Sequence, residues 1–295
     1  MVLIVNAFDR TGGPAWFDDE QHAGFLQMVD QGVPFGVDLH TVGAQFDFVK
    51  SSPWLDDDSP GHGASYADLE PFVIPGNSFD FSCQHGNSIR NAGYSFVSVS
   101  DETLLEGAVD LNAFEMVDYL AGEERTTFMP KNDSVPQYQV FPDSMLTILA
   151  AYLGAGGSLF ISGAHIASDI HFHGQDSLVA SVLKYKWRTS NASRVGKFYF
   201  MEPDFAGVTE QFSFNTGVDP HIYTVEGADA LEPADSLAIT LIRYVENNMS
   251  AAVGFRGDYG IVALGFPFET IVDRSAQDLI MRKTISYLLN QNEDE

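Results

Sequence analysis

The chain has 295 residues, room for one large domain or two small ones, and a globular composition of 45% hydrophobic and 13% aromatic residues. Acidic residues outnumber basic ones 41 to 15, and the formal charge of −26 disfavours nucleic acid and anionic membrane surfaces as partners. The lone cysteine, Cys83, excludes an internal disulfide or a multi-cysteine zinc site, and no run reaches the ~20 apolar residues of a membrane span.

In chain order, residues 2–5 (VLIV) come first, a near-continuous apolar run of the kind that a strand buried on both faces shows. No signal peptide is visible, since Met1 leads straight into the run, a start that suits an excised domain as readily as a natural N-terminus. Residues 11–92 are dense in Gly, Pro, Asp and His, and the stretch from Pro53 to Gly61 is turn chemistry. The expectation there is a loop-rich insertion at about residues 11–92, carrying one short helix near Phe25 and Val29. A strand is expected over residues 94–99, while residues 114–120 read as strand or helix, their shortness and the following Ala121-Gly122 favouring a strand.

A helix follows over residues 142–153, opened by Pro142-Asp143 and closed by Gly154, with Met145, Leu146, Leu149, Tyr152 and Leu153 on one face. Gly156-Gly157 turns the chain into a strand over residues 158–162. A β-rich segment at about 197–265 holds short runs at 197–201, 211–214, 237–244, 251–255 and 260–264, with hairpin turns at Asn247-Asn248 and Gly257-Asp258. Ser275-Ala276-Gln277-Asp278 reads as the capping box of a closing helix, which buries Ala276, Ile280, Met281, Tyr287 and Leu288. The acidic tail after Asn290 is expected to fray.

The alternation of strands and crossover helices gives one α/β domain over 1–295, with a mainly parallel, doubly wound sheet and added antiparallel strands. In such sheets ligands gather outside the carboxyl ends of the strands.

Four blocks carry a resemblance. They are residues 3–10 (LIVNAFDR), 118–124 (DYLAGEE), 156–169 (GGSLFISGAHIASD) and 263–269 (ALGFPFE). The third resembles the class I glutamine-amidotransferase-like fold, in which a helix and a Gly-Gly turn precede the strand that carries the nucleophile elbow. Together the four resemble domains of large secreted Bacteroidota proteins labelled xanthan lyase-like or golvesin C-terminal-like. The resemblance implies a carbohydrate-associated accessory or binding domain of a larger chain that is secreted, periplasmic or displayed at the cell surface. It also places Ala164 where the elbow cysteine would stand, so it implies the fold without amidotransferase activity.

On the strand assignments, Asp9, Arg10, Asp101, Glu102, Glu123, Glu124, His165 and Glu269 all follow strand ends. Glu123, Glu124, His165 and Asp9 are the candidates for acid–base work in a hydrolase or lyase acting on a polysaccharide. Arg10 is the candidate for holding a substrate carboxylate or sulfate. The alternative is structural, with Asp9 and Arg10 as an ion pair and the others as caps. Trp16 and Trp54, beside Phe17 and Tyr66, offer faces for sugar rings or form a small core of their own.

No cofactor is expected apart from a divalent metal. His165, Asp169, His171 and His173 are a candidate ligand set for one, with His165 and Asp169 on one helical face and His171 and His173 on one side of an extended segment. Their alternative is as surface or capping side chains. Cys83 stands near His85 in sequence, but so close a pair reads as a buried thiol and not as a catalytic couple. Asp56, Asp57 and Asp58 lack the order of an EF-hand loop and read as a solvated turn. A glycan is the expected partner.

Overall fold

The computed structural model describes residues 1–10, 16–18, 20, 22–25, 48–49, 81–128, 136–201, 211–217, 219 and 222–289. The strands in chain order are β1 (Val2–Asn6), β2 (Trp16–Asp18), β3 (His22–Phe25), β4 (Phe48–Val49), β5 (Phe96–Ser100), β6 (Met116–Gly122), β7 (Thr127–Phe128) and β8 (Pro136–Gln137). They continue with β9 (Ser158–Gly163), β10 (Tyr185–Thr189), β11 (Lys197–Phe200), β12 (Gln211–Ser213), β13 (Ala230–Pro233), β14 (Ala238–Tyr244), β15 (Ser250–Arg256) and β16 (Gly260–Leu264). The helices are α1 (Phe81–Asn91), α2 (Asp101–Leu105), α3 (Asp143–Gly154), α4 (Ser168–Phe172), α5 (Asp176–Val182) and α6 (Arg274–Leu289).

Nine strands form one sheet in the order β12-β11-β14-β15-β16-β9-β6-β1-β5. The run β5-β1-β6-β9-β16 is parallel throughout, and from β16 outward every pairing is antiparallel. The fold is therefore α/β with a mainly parallel core, and the later hairpins extend the same sheet. β1 lies between β5 and β6, so the chain leaves β1 for one neighbour and then crosses back to the other. That reversal opens a crevice at the carboxyl ends of β1 and β6.

The parallel strands are apolar runs because both of their faces are covered. Val2, Ile4, Met116, Phe160 and Val262 face the layer of α1 and α6, with Ile89, Ile280 and Met281. Leu3, Val5, Val117, Leu159 and Ile161 face α3, with Leu146 and Leu149. The period of two along each strand thus divides one sheet between two cores.

The described residues correct three of the expectations. The insertion is shorter than residues 11–92, because Phe81–Asn91 is the crossover helix that joins β1 to β5. Phe25 closes a strand of a small antiparallel sheet, β2-β3-β4, and the remainder of the expected short helix lies outside the described residues. The closing helix is capped by Asp273, whose Oδ1 accepts the Ser275 N–H at 2.8 Å and the Ser275 hydroxyl at 2.8 Å. Asp278 instead reaches α1, where it accepts from Ser88 Oγ at 2.8 Å and Asn91 Nδ2 at 2.9 Å.

Candidate functional site at the strand carboxyl ends

The three segments that leave β1, β6 and β9 are tied together by backbone. Ala7 N–H donates to Leu120 O at 2.9 Å and Ala164 N–H donates to Gly122 O at 2.8 Å. Gly122 has a left-handed φ of 51°, and a Cβ there would overlap the Phe8 ring. Only glycine therefore makes the turn that points Glu123 and Glu124 into the crevice.

Glu124 and Arg10 interlock. One Glu124 oxygen accepts the Asp9 N–H and also the Arg10 N–H at 2.6 Å, while Arg10 Nη1 donates to the Glu123 carbonyl at 2.7 Å. Burial pushes the Glu124 carboxyl well above its ordinary range, and the Asp9 charge adds to the push against the two N–H donors. Arg10 is buried and bonded to the neighbouring loop. The structure thus makes it a clamp between two strand ends, with its guanidinium engaged by backbone and not turned to solvent.

Glu123 and His165 meet. Glu123 Oε2 lies 3.2 Å from His165 Nε2 without the alignment of a hydrogen bond, and neither atom has another such partner. The other Glu123 oxygen accepts Glu226 N–H at 3.0 Å. The His165 side chain is 12% exposed, so its ring borders solvent while Glu123 does not. Asp229 underpins the histidine by accepting Ala167 N–H at 2.9 Å and Ser168 N–H at 2.7 Å, and burial lifts its carboxyl to about 6.

The proposed metal quartet does not converge. Asp169 accepts Thr126 N–H at 2.8 Å and Thr126 Oγ1 at 2.9 Å, which fixes the loop after β6. His171 lies in α4, not in an extended segment; its Nδ1 is 3.0 Å from Asp176, and its ring stacks on Trp187 with centroids 4.0 Å apart. His173 Nδ1 donates to the Asp169 carbonyl at 2.6 Å. Among the described residues, the group whose carboxylate or ring atoms do gather is Asp9, Asp101 and Glu102, with ligand atoms within 4.8 Å of one another. Trp16 belongs to β2, but its side chain, like all of Trp54, lies outside the described residues.

A second polar cluster was missed in the sequence. His85, on α1, sits fully buried between Asp118 of β6 and Glu269, with Nδ1 2.8 Å from Asp118 Oδ2 and Nε2 3.2 Å from Glu269 Oε2. Tyr223 donates its hydroxyl to the other Glu269 oxygen at 2.6 Å, and Phe268 packs edge-on against the imidazole. Cys83 lies on the exposed side of the same helix, apart from this cluster. The signal available was Asp118 itself. A carboxylate within the apolar run MVDYLAG, on a strand buried on both faces, demands a buried partner.

Chemically, Glu123 and His165 are near enough to exchange a proton once their atoms align, and Ala164, fully buried beside them, supplies no nucleophile. No family model matches the chain, and no curated protein matches it. Among solved structures it is similar to an exo-β-1,4-mannosidase from Opitutaceae bacterium strain TAV5, at 14% identity and a TM-score of 0.46, over 75% of this chain but only 33% of that one. It is also similar to a ThuA-like protein from Bacteroides uniformis, at 9% identity and a TM-score of 0.46, over 73% of this chain and 90% of that one. A glutamine amidotransferase from Thermotoga maritima matches at 12% identity and a TM-score of 0.43, over 70% and 91% of the two chains. These likenesses concern the α/β fold and no further property.

Proposed function

We propose that this chain is a carbohydrate-associated binding or accessory domain of a larger secreted, periplasmic or cell-surface protein, without amidotransferase activity. The observation that carries the reading is how the strand-end groups use their hydrogen bonds. Glu124 serves the N–H groups of residues 9 and 10, Asp229 those of 167 and 168, Asp169 that of 126, and Arg10 the carbonyl of 123. These are the tasks of a braced crevice, and the position after β9 holds Ala164. The carboxylates left at its surface, Asp9 and Glu226, are acceptors suited to sugar hydroxyls. A formal charge of −26 favours a neutral glycan over an anionic one.

One observation favours a second reading, a hydrolase or lyase: the 3.2 Å approach of His165 to Glu123. Calorimetric titration with neutral and anionic polysaccharides, run beside an assay for new reducing ends or unsaturated products, separates the two. The expected result is binding of a neutral glycan, weakened at least fivefold in Glu226→Ala, with no product formed. Turnover that disappears in both Glu123→Gln and His165→Ala would replace the first reading with the second. The absence of both binding and turnover would sink the two together.

A further inference from the structure

We propose that Asp9, Asp101 and Glu102 form a binding site for one hard divalent cation, calcium by donor type and spacing. β1 and β5 are adjacent and parallel, with Asn6 in register with Ser100. Asp9 lies just beyond the end of one strand and Asp101-Glu102 just beyond the other, so the topology brings three acids to one edge of the crevice. One carboxylate oxygen from each lies within 4.8 Å of the others. Calcium, bound at about 2.3–2.6 Å, bridges oxygens up to about 5 Å apart, and a set of carboxylates without nitrogen or sulfur suits a hard cation.

The second observation concerns Asp101 alone. It is 9% exposed, and its Oδ1 has no hydrogen-bond partner. A buried carboxylate oxygen with nothing to accept from is costly unless the group takes up a proton or a cation supplies the missing charge. The two side chains gathered with it, Asp9 and Glu102, are both acids. Behind them Glu124 Oε2 is buried and likewise lacks a partner, although its sister oxygen holds the Asp9 N–H. Asp9 and Glu102 are exposed, which leaves a path for the ion and room for waters to complete its shell. The histidine set around Asp169 has no such convergence.

The site shares Asp9 with the glycan reading but is tested separately from it, because the ion is measured directly. The full chain, stripped with EDTA, is titrated with calcium chloride by calorimetry at about 0.15 M salt, where loose counter-ions on the acidic surface are screened. Wild type is expected to bind one ion per chain saturably, and Glu232→Gln, which removes an exposed acid of β13, to bind within twofold of it. Asp101→Asn and Glu102→Gln are each expected to weaken binding at least tenfold. In EDTA, Asp101→Asn is expected to melt no lower than wild type, since one of three mutually repelling carboxylates is gone. Absence of saturable binding in wild type overturns the proposal, as do folded Asp101→Asn and Glu102→Gln that bind as tightly as wild type. Should Asp101→Asn not fold, the exposed Glu102→Gln decides alone.

Discussion

His85 faces a carboxylate from each ring nitrogen and has no exposed surface. Burial alone would lower its pKa, but Asp118 and Glu269 outweigh it and hold the imidazole at about 9, so the ring is an imidazolium at neutral pH. Removing it leaves two buried carboxylates without their counter-charge. The His85→Ala variant is therefore expected to lose roughly 3–5 kcal/mol in urea unfolding. Adding Asp118→Asn to it should recover part of that loss, because one of the stranded charges is then neutral. A His85→Ala cost below about 1 kcal/mol would mean that the network is not held by its charges. Glu123 and His165 could be brought together from sequence because each follows a parallel strand within two residues. His85 could not, because its partners are separated from it by 33 and 184 residues and only one of them follows a strand.

Among the elements, two glycines make opposite demands. Gly265 follows β16, where its N–H donates to Ala251 O and its carbonyl accepts Asp229 N–H, both at 2.8 Å. A Cβ there would overlap the Asp229 carbonyl, which is backbone and cannot swing aside. Gly265→Ala is thus expected to cost about 1–3 kcal/mol or more, and to loosen the Asp229 support under His165. Gly154, at the end of α3, has nothing within 4 Å of an added Cβ. Gly154→Ala should stabilise the chain by about 0.5–1 kcal/mol through helix propensity. Chemical denaturation of both variants checks the pair, and equal effects of the same sign would refute the steric argument. The elements follow the same logic of burial. β1, β6, β9 and β16 were legible because covering both faces writes a continuous apolar run. The helix α1 was not, because the residues it buries include His85, Gly86 and Ser88, which leave no apolar stripe to read. Among the described residues the strands β10 and β13 pair only with each other, across a long separation, and YKWRT and ALEP are too short to announce that from sequence.

At the scale of the whole molecule, the shifted groups inside the fold act in one direction. Asp229 and Asp101 are raised to about 6 and about 7, and Glu124 is raised well above its usual range. An acid with a raised folded pKa binds more protons folded than unfolded, so its contribution to stability falls as pH climbs from its unfolded value to its folded one. His85, raised from 6.5 to about 9, stabilises fully below 6.5 and loses that contribution as pH passes about 9. Asp229 and Asp101 therefore act from about pH 4 to 7 and the histidine from about 6.5 to 9, with the same sign. For the deeply buried Asp229 and His85 each shift corresponds to roughly 3 kcal/mol. The lowered carboxyls, Glu102, Asp235, Glu246 and Asp273, lie mostly in solvent, and their opposing contribution falls only below their ordinary range. A formal charge of −26 at pH 7 adds self-repulsion in the same direction as the internal groups. The melting temperature is accordingly expected to be highest near pH 4–5.5 and to fall steadily towards pH 9 at constant ionic strength. Raising the salt to about 1 M should recover the surface part of that fall and leave the part owed to His85 and Asp229. Calorimetric scans across that range test the argument, and a melting temperature that stays level or rises between pH 5 and 9 would show that the buried groups do not carry these protonation states.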